Sequence, residues 1–359
     1  MGGDYGYGNA RIRGMKADLL DRRAYETLLA AASLEALIEA LVATAYKEEI
    51  EAALVKHPGV ECVAEGVRKN IARTTGSMIR FFDGRPQQLV GLLVSRWDLF
   101  NLIAILRGQA RGVAAEEILA TLVPAGALKD HELQELAKQP TVGATAQLML
   151  SWRLPFAGAL ARSLRLAGGD LALVETELHR IRFRDALAAL RGDENDMLVR
   201  DVIETEIDTQ NLSLLIRLSS LADWRAALRA RFGPADPAAL LLDGGHLSRR
   251  RLAELMAATD IEAMLRILEG TVYGPALQAR LGEYRQGADA AVLERALDSH
   301  LLLKGARMFH RDPLGVAMAV GYLWAKSAEV ANLRLIAQGK ALGWSPDAVR
   351  QEMIWWAQE

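Results

Sequence analysis

The stretch Arg96-Trp97-Asp98-Leu99-Phe100-Asn101-Leu102 has two counterparts further along the chain. They are Glu206-Ile207-Asp208-Thr209-Gln210-Asn211-Leu212 and Lys326-Ser327-Ala328-Glu329-Val330-Ala331-Asn332-Leu333. In each, an Asn-Leu pair sits at a matching position of a helix-like segment. Asn211 follows Asn101 by 110 residues, and Asn332 follows Asn211 by 121. A period of that length is a small domain, not a solenoid unit. The chain therefore reads as one helical domain used three times, an architecture suited to seating or bridging partners.

Other segments share compatible offsets. Ala125-Gly126-Ala127-Leu128 matches Gly244-Gly245-His246-Leu247 at 119 residues, and so does Asp170 to Glu175 against Asp289 to Glu294. Leu34 to Ile38 matches Ile261 to Leu265 at 227, with Thr44-Ala45-Tyr46 against Thr271-Val272-Tyr273. Several matches at one offset argue for duplication. The expected division is a flexible N-terminus (1–9), a first helical repeat (10–108) and a linker (109–124). A second repeat (125–232), a linker (233–243) and a third repeat with a C-terminal helix (244–359) follow.

Composition agrees. The 359 residues are 51% apolar, enough for more than one core. Ala, Leu, Arg and Glu dominate over β-branched and aromatic residues, and no stretch sustains strand alternation, so the expected class is all-α. A formal net charge of −2 offers no general attraction to nucleic acid. A single cysteine, Cys62, forms no disulfide within the chain and sits in an apolar helical stretch, as a small buried hydrophobe does. The longest uncharged apolar run, Pro313 to Ala325, is short of the ~20 residues of a spanning helix.

Local signals place the elements. Asn9 is read as the cap of a first helix carrying Ile12, Met15, Leu19 and Leu20, and Ser33 as the cap of a second with Leu34, Leu37, Ile38 and Leu41 on one face. Gly233-Pro234-Ala235-Asp236-Pro237 is the strongest break. Asp312-Pro313 and Ser345-Pro346 read as helix starts. Trp355 and Trp356 read as core anchors.

Candidate chemistry is sparse. Asn disfavours helix interiors because its amide competes for backbone hydrogen bonds. Three occurrences at one position suggest a shared task. Asn101, Asn211 and Asn332 are expected to be partly buried and to tie a helix to a neighbouring turn in each repeat. The alternative is plain inheritance, with the side chains in water. Gly321 to Ser327 ends like a phosphate loop but lacks the glycine before Lys326 and sits in a helix, so it is rejected. No two of the six histidines are spaced i, i+4, so no metal site and no cofactor are expected. Glu48-Glu49-Glu51 and Glu116-Glu117 read as solvated faces. Arg180, Arg182 and Arg184, the Trp224 to Arg231 stretch and Arg249 to Arg251 are basic clusters better suited to an acidic or helical protein partner than to nucleic acid.

Three blocks carry a family resemblance: Tyr5-Gly6-Tyr7-Gly8-Asn9-Ala10-Arg11-Ile12-Arg13-Gly14-Met15-Lys16; Arg96 to Leu102 with Leu106-Arg107-Gly108; and Asp312 to Val316 running through Glu329 to Ile336. Together they resemble the C subunit of archaeal and bacterial V-type (A-type) ATPases, whose eukaryotic relative is the d subunit. The resemblance covers essentially the whole chain. It departs from the family at Gly6 and Gly8 and around Ser151-Trp152-Arg153-Leu154-Pro155, where the second repeat is degenerate. It implies an all-α fold of three similar domains in a pseudo-threefold funnel. It also implies a non-catalytic central-stalk role on the cytoplasmic face of a membrane, peripheral and without a membrane span. The implied partners are central shaft subunits (D/F type) and a membrane proteolipid ring, with one copy per complex and neither nucleotide nor nucleic acid bound. Arg11, Arg13, Lys16, Arg249, Arg250 and Arg251 are the candidate partner-interface residues. A free-standing helical scaffold or adaptor, and a helical enzyme, are the competing readings.

Overall fold

The computed structural model describes residues 4–220, 223–224 and 240–356, and every regular element among them is helical. The Gly233 to Pro237 break, with Arg225, Arg229 and Arg231, lies outside the described residues. After α1 (Gly6–Ala17) come three short helices, α2 (Arg22–Ala30), α3 (Leu34–Val42) and α4 (Lys47–Leu54). Two long ones follow, α5 (Gly59–Ile79) and α6 (Gly84–Ala110). A short helix, α7 (Ala115–Thr121), lies in the expected first linker. The pattern then recurs with α8 (Asp130–Ala137), α9 (Val142–Trp152), α10 (Ala157–Leu166), α11 (Leu171–Ala188) and α12 (Glu194–Ser219). It recurs again with α13 (Arg249–Ala257), α14 (Ile261–Leu268), α15 (Gly274–Arg285), α16 (Ala291–Ala306) and α17 (Ala317–Ala341), and α18 (Pro346–Glu352) closes the chain.

The repeat is visible in the physics of its starts. The middle short helix is capped by Ser33 in α3, Thr141 in α9 and Asp260 in α14, each side chain accepting from the backbone N–H three residues on. These positions obey the 119 and 227 offsets, so three different cap-competent residues do one job. Beyond the caps, Leu37, Ile38 and Leu41 in α3 match Met264, Leu265 and Leu268 in α14 as the buried face. At the next turn, Thr44 Oγ1 donates to Leu41 O and accepts from Tyr46 N, and Thr271 does the same with Leu268 and Tyr273.

Two starts differ from the sequence reading. Asn9 is not a cap: α1 begins at Gly6, so residues 6–9 of the segment expected to be flexible are helical. Asn9 is buried inside that helix, with Nδ2 donating to Pro313 O and Gly315 O (3.3 and 3.0 Å). Gly8 permits the seating, because a Cβ there would stand 2.1 Å from the Phe82 ring. Asp312-Pro313 does not open a helix either. Asp312 Oδ1 accepts from Leu314 N, which forms a turn, and α17 starts at Ala317. Ser345 caps α18 with Pro346 at its first position, as read.

The chain divides into two compact units, residues 1–171 with 305–359, and residues 172–304. In the first, α17 packs along α5, α1 and α3, so the last long helix serves the first repeat's short helices, while α6 packs on α7, α8 and α9. The core of that unit joins Leu37, Leu41, Tyr46, Ile50, Val63 and Val67 to Leu333, Ile336 and Met353. In the second, Leu212, Leu215 and Ile216 of α12 join Leu255, Ile261, Met264, Leu268 and Tyr273 of the segment from α13 to α15. Spatial modules are thus staggered against sequence repeats, each long helix serving the short helices of the next repeat. By length and composition α6 could cross a membrane, but Leu89, Val90, Leu93, Leu99, Leu102 and Leu106 are buried within the unit.

Candidate functional site

The repeated asparagines sit at the seams of this stagger. All three are buried, at most 1% exposed, and each makes the same two hydrogen bonds to one residue downstream. Asn101 Nδ2 donates to Val123 O and its Oδ1 accepts from Val123 N, both at 2.7 Å. Asn211 pairs in the same way with Leu242 (2.9 and 2.8 Å), and Asn332 with Ile354 (2.9 and 2.8 Å). A primary amide presents one donor and one acceptor side by side, which matches the N–H and C=O of one extended residue. A helix-interior Asn thereby acts as a one-residue strand partner.

Sequence reading misses the acid three residues before each Asn. Asp98, Asp208 and Glu329 are at most 2% exposed. Asp98 accepts from Ala127 N (2.9 Å) and Leu128 N (2.8 Å), and Asp208 accepts from Leu247 N (3.1 Å to Oδ2). Glu329 accepts from Leu20 N (2.5 Å). Leu20, Leu128 and Leu247 are one position of the repeat. Gly126 and Gly245 bring the backbone in: a Cβ at either would stand 2.1 or 2.0 Å from the carboxylate. Tyrosine completes two of the three anchors. Tyr273 Oη donates to Asp208 Oδ2 (2.8 Å) and Tyr46 Oη to Glu329 Oε1 (2.7 Å). Burial and the neighbouring carboxylates raise both tyrosine pKa values; burial also raises that of Asp208, against the pull of the Tyr273 hydroxyl. Lys326, 3% exposed, adds a charge partner, with Nζ 2.7 Å from Glu329 Oε1 and 2.9 Å from Tyr46 Oη. In the second repeat Trp152 and Leu154 occupy the Thr and Tyr positions. Trp152 is 43% exposed, and Arg153 and Phe156 take left-handed backbone angles (φ +53° and +65°). Trp152, Arg153 and Leu154 belong to the degenerate stretch of the sequence, and Phe156 directly follows it.

Of the six candidate interface residues, Arg11, Arg13 and Lys16 lie in the first unit and Arg249, Arg250 and Arg251 in the second. Arg11 lies over the Phe81 ring (5.2 Å), Arg13 donates to Pro313 O (3.0 Å) and Lys16 lies over Phe309 (4.3 Å). Arg249 pairs with Asp243 (2.8 Å) and Arg250 with Glu254 (2.9 Å), while Arg251 is exposed on the same first turn of α13. Of the other basic clusters, Arg182 is buried against Glu206 (2.9 Å), and Arg180 and Arg184 pair with Glu177 and Asp185. Glu49 is not a solvated residue: it is buried and bound by Asn70 (3.0 Å) and Arg73 (2.5 Å). Cys62 is buried. Trp355 and Trp356 are half-buried, edge-on to Tyr25 and tilted against Phe309.

Among the described residues no group of three His, Cys, Asp or Glu side chains is positioned for a metal ion. A cleft of about 160 Å³ is lined by Arg11, Asn70, Arg73, Tyr322 and Lys326. Two of its cations are already matched, exposed Arg73 by Glu49 and buried Lys326 by Glu329. Among the described residues, the buried Asn and carboxylate anchors join helices to neighbouring backbone.

A fold of repeated helical modules locked by buried Asn and carboxylate anchors defines a structural class, and comparison with known proteins supplies the family. The model of the ATP synthase (C/AC39) subunit family matches residues 8–352, and the chain belongs to that family. It is 28% identical to the C subunit of the A-type ATP synthase of Methanocaldococcus jannaschii, over 98% of this chain and 86% of that one. It is also 28% identical to the protein of the same name from Haloquadratum walsbyi, over 97% of each chain. With the C subunit of the V-type ATP synthase of Thermus thermophilus it shares 30% identity over 99% of both chains.

Proposed function

We propose that this chain is the non-catalytic central-stalk coupler of a rotary V/A-type ATPase, joining the rotating shaft to the membrane proteolipid ring. The observation that carries the reading is the family match from residue 8 to 352, with relatives named as C subunits aligned along nearly their whole length. The partners are shaft subunits of the D/F type on one side and the ring on the other. The protein sits as a single peripheral copy on the cytoplasmic face, and the eukaryotic d subunit is its counterpart.

The physics of the task favours this kind of molecule. A coupler must pass torque without slipping, which calls for a stiff body and broad, partly polar contact surfaces. A funnel of three similar helical modules about a pseudo-threefold axis offers a socket for the end of a helical shaft. Buried anchors at each seam keep the modules from shearing. Arg11, Arg13, Lys16 and Arg249 to Arg251 are the proposed contact residues, being charged and exposed or half-buried.

The test is to tag the chain in its native cell, solubilise membranes in mild detergent and identify what co-purifies after light cross-linking. Recovery of nucleotide-binding, shaft and proteolipid subunits is expected. Recovery of the protein alone would favour a free-standing adaptor. Reversing Arg249, Arg250 and Arg251 to Glu should weaken assembly while leaving the melting temperature of the isolated chain within a degree or two. Undiminished assembly would remove these residues from the interface.

A further inference from the structure

Within the unit of residues 172–304, one seam carries an addition that the other seams lack. His246 lies between Gly245 and Leu247, in the segment that meets Asp208. Its Nε2 is 3.2 Å from Asp201 Oδ1 and its Nδ1 is 3.2 Å from Glu204 Oε2. Lys304 Nζ, from α16, reaches the same Asp201 Oδ1 (2.7 Å) and Thr205 Oγ1 (2.7 Å). Two carboxylates one turn apart on α12 thus face an imidazole and an ammonium.

The geometry favours the protonated ring. A neutral imidazole has one N–H and one lone pair. With a carboxylate at hydrogen-bond distance from each nitrogen, either neutral tautomer turns its lone pair toward an anion. The imidazolium donates toward both; Asp201 O (3.3 Å) and Thr205 Oγ1 (3.4 Å) also lie beside Nε2. The other charged groups nearby are few. On α12, Arg200 stands 3.7 Å from Glu204, and Asp208 is buried against Tyr273 and Leu247. On the segment's own side, Asp243 is taken by Arg249. The hydrogen bond that His246 donates to Asp201 is the largest influence on the ring and raises its pKa above 6.5, with Glu204 adding to it, while burial and Lys304 oppose. Asp201 itself is held down to about 2, burial opposing His246 and Lys304, so it stays ionised wherever the imidazole titrates.

The internal repeat acts as a control. The position of His246 is held by Ala127 in the second repeat and by Leu19 in the first. The following N–H still reaches its carboxylate in both, from Leu128 to Asp98 and from Leu20 to Glu329. The seam therefore closes without any ion at this place, and the cluster does something the fold does not require.

We propose that His246, Asp201, Glu204 and Lys304 form an ionic clasp that tightens the segment joining the second and third repeats onto α12 while the imidazole is protonated, and loosens as it loses its proton. Because the folded pKa is raised, the contribution is fully present below the unfolded value and is lost as pH rises through the folded one. Neutral imidazole leaves Asn211 and Asp208 to hold the segment alone, as their counterparts do elsewhere. Attachment of the segment from α13 to α15 onto α12 thereby becomes responsive to pH above the ordinary histidine value of 6.5. This holds for the chain itself and does not depend on the coupling reading.

The test is hydrogen exchange of the full chain from about pH 5.5 to about pH 9, corrected for intrinsic exchange, together with nitrogen shifts of the histidine rings. Protection at 241–248 should fall roughly two- to fivefold across the titration, the scale of a partly exposed ion pair. Protection at 123–130 and 18–22 should stay flat, and His246→Gln should fix 241–248 at its high-pH level. The ring of His246 should show imidazolium shifts on both nitrogens at pH 6.5. A flat profile at 241–248, the same fall in His246→Gln, or a neutral ring at that pH would each overturn the clasp. If the variant fails to fold, the wild-type chain still decides, through its two control segments and the ring shifts.

Discussion

At the scale of single residues, this molecule is held by polar groups that face no water. Each Asn closes a two-bond pair with a backbone residue 22 or 31 positions downstream. Replacing Asn211 by Leu strands the N–H and C=O of buried Leu242, so Asn211→Leu should lower stability by about 1–3 kcal/mol in a denaturant melt. An unchanged midpoint would show that the pair contributes little. The asparagines are legible because an amide is out of place in a helix interior, and three at matching positions compound the anomaly. The acids three residues earlier stand in the same segments and give no such signal. Asp or Glu in a helix is ordinary on a solvated face, and nothing in one sequence says the face is buried. Asn9 misleads for a related reason. Its residue type suits a cap, but its partners Pro313 and Gly315 lie 304 and 306 residues away. The carboxylate partners of His246 lie at Asp201 and Glu204, a spacing no local motif records.

Among the elements, short helices are easier to read than the order in which they pack. Ser33, Ser345 and Pro346 announce starts by local chemistry, and the 3.6-residue pattern gives each apolar face. The stagger is illegible, since periodicity says that a face is buried but not against what. The end of the chain shows how the stagger is secured. Ile354 pairs with Asn332, Met353 enters the core with Leu37 and Leu333, and Trp355 packs on Tyr25. Ending the chain after Glu352 removes all three contacts. The expected loss is about 2–5 kcal/mol, seen as a lower melting temperature and lost exchange protection in α2 and α3. Protection within 172–304 should be unaffected. A truncated chain with native protection in α2 and α3 would mean that the last residues merely lie on the surface.

For the whole molecule, the sequence repeats and the folding units are different cuts of the same chain. Residues 172–304 contain a complete staggered module, with α12 and the short helices it serves around one core. That fragment should fold alone, with a cooperative thermal transition. The sequence repeat 125–232 divides two modules and should not. If 125–232 melts cooperatively and 172–304 does not, the stagger is a packing detail and not the unit of stability. The repeat count is readable from offsets, whereas the boundaries of the folding units are not, because a duplication marks ancestry and a core marks contact. The first unit also has a history in time. Tyr46 and Glu329, which share a hydrogen bond, are 283 residues apart, so at roughly 5–20 residues per second the helices around Tyr46 leave the ribosome on the order of 15 s to a minute before α17 exists. During synthesis the helices around Tyr46 are an unfinished half-core with an apolar face open to water until α17 has emerged to cover it.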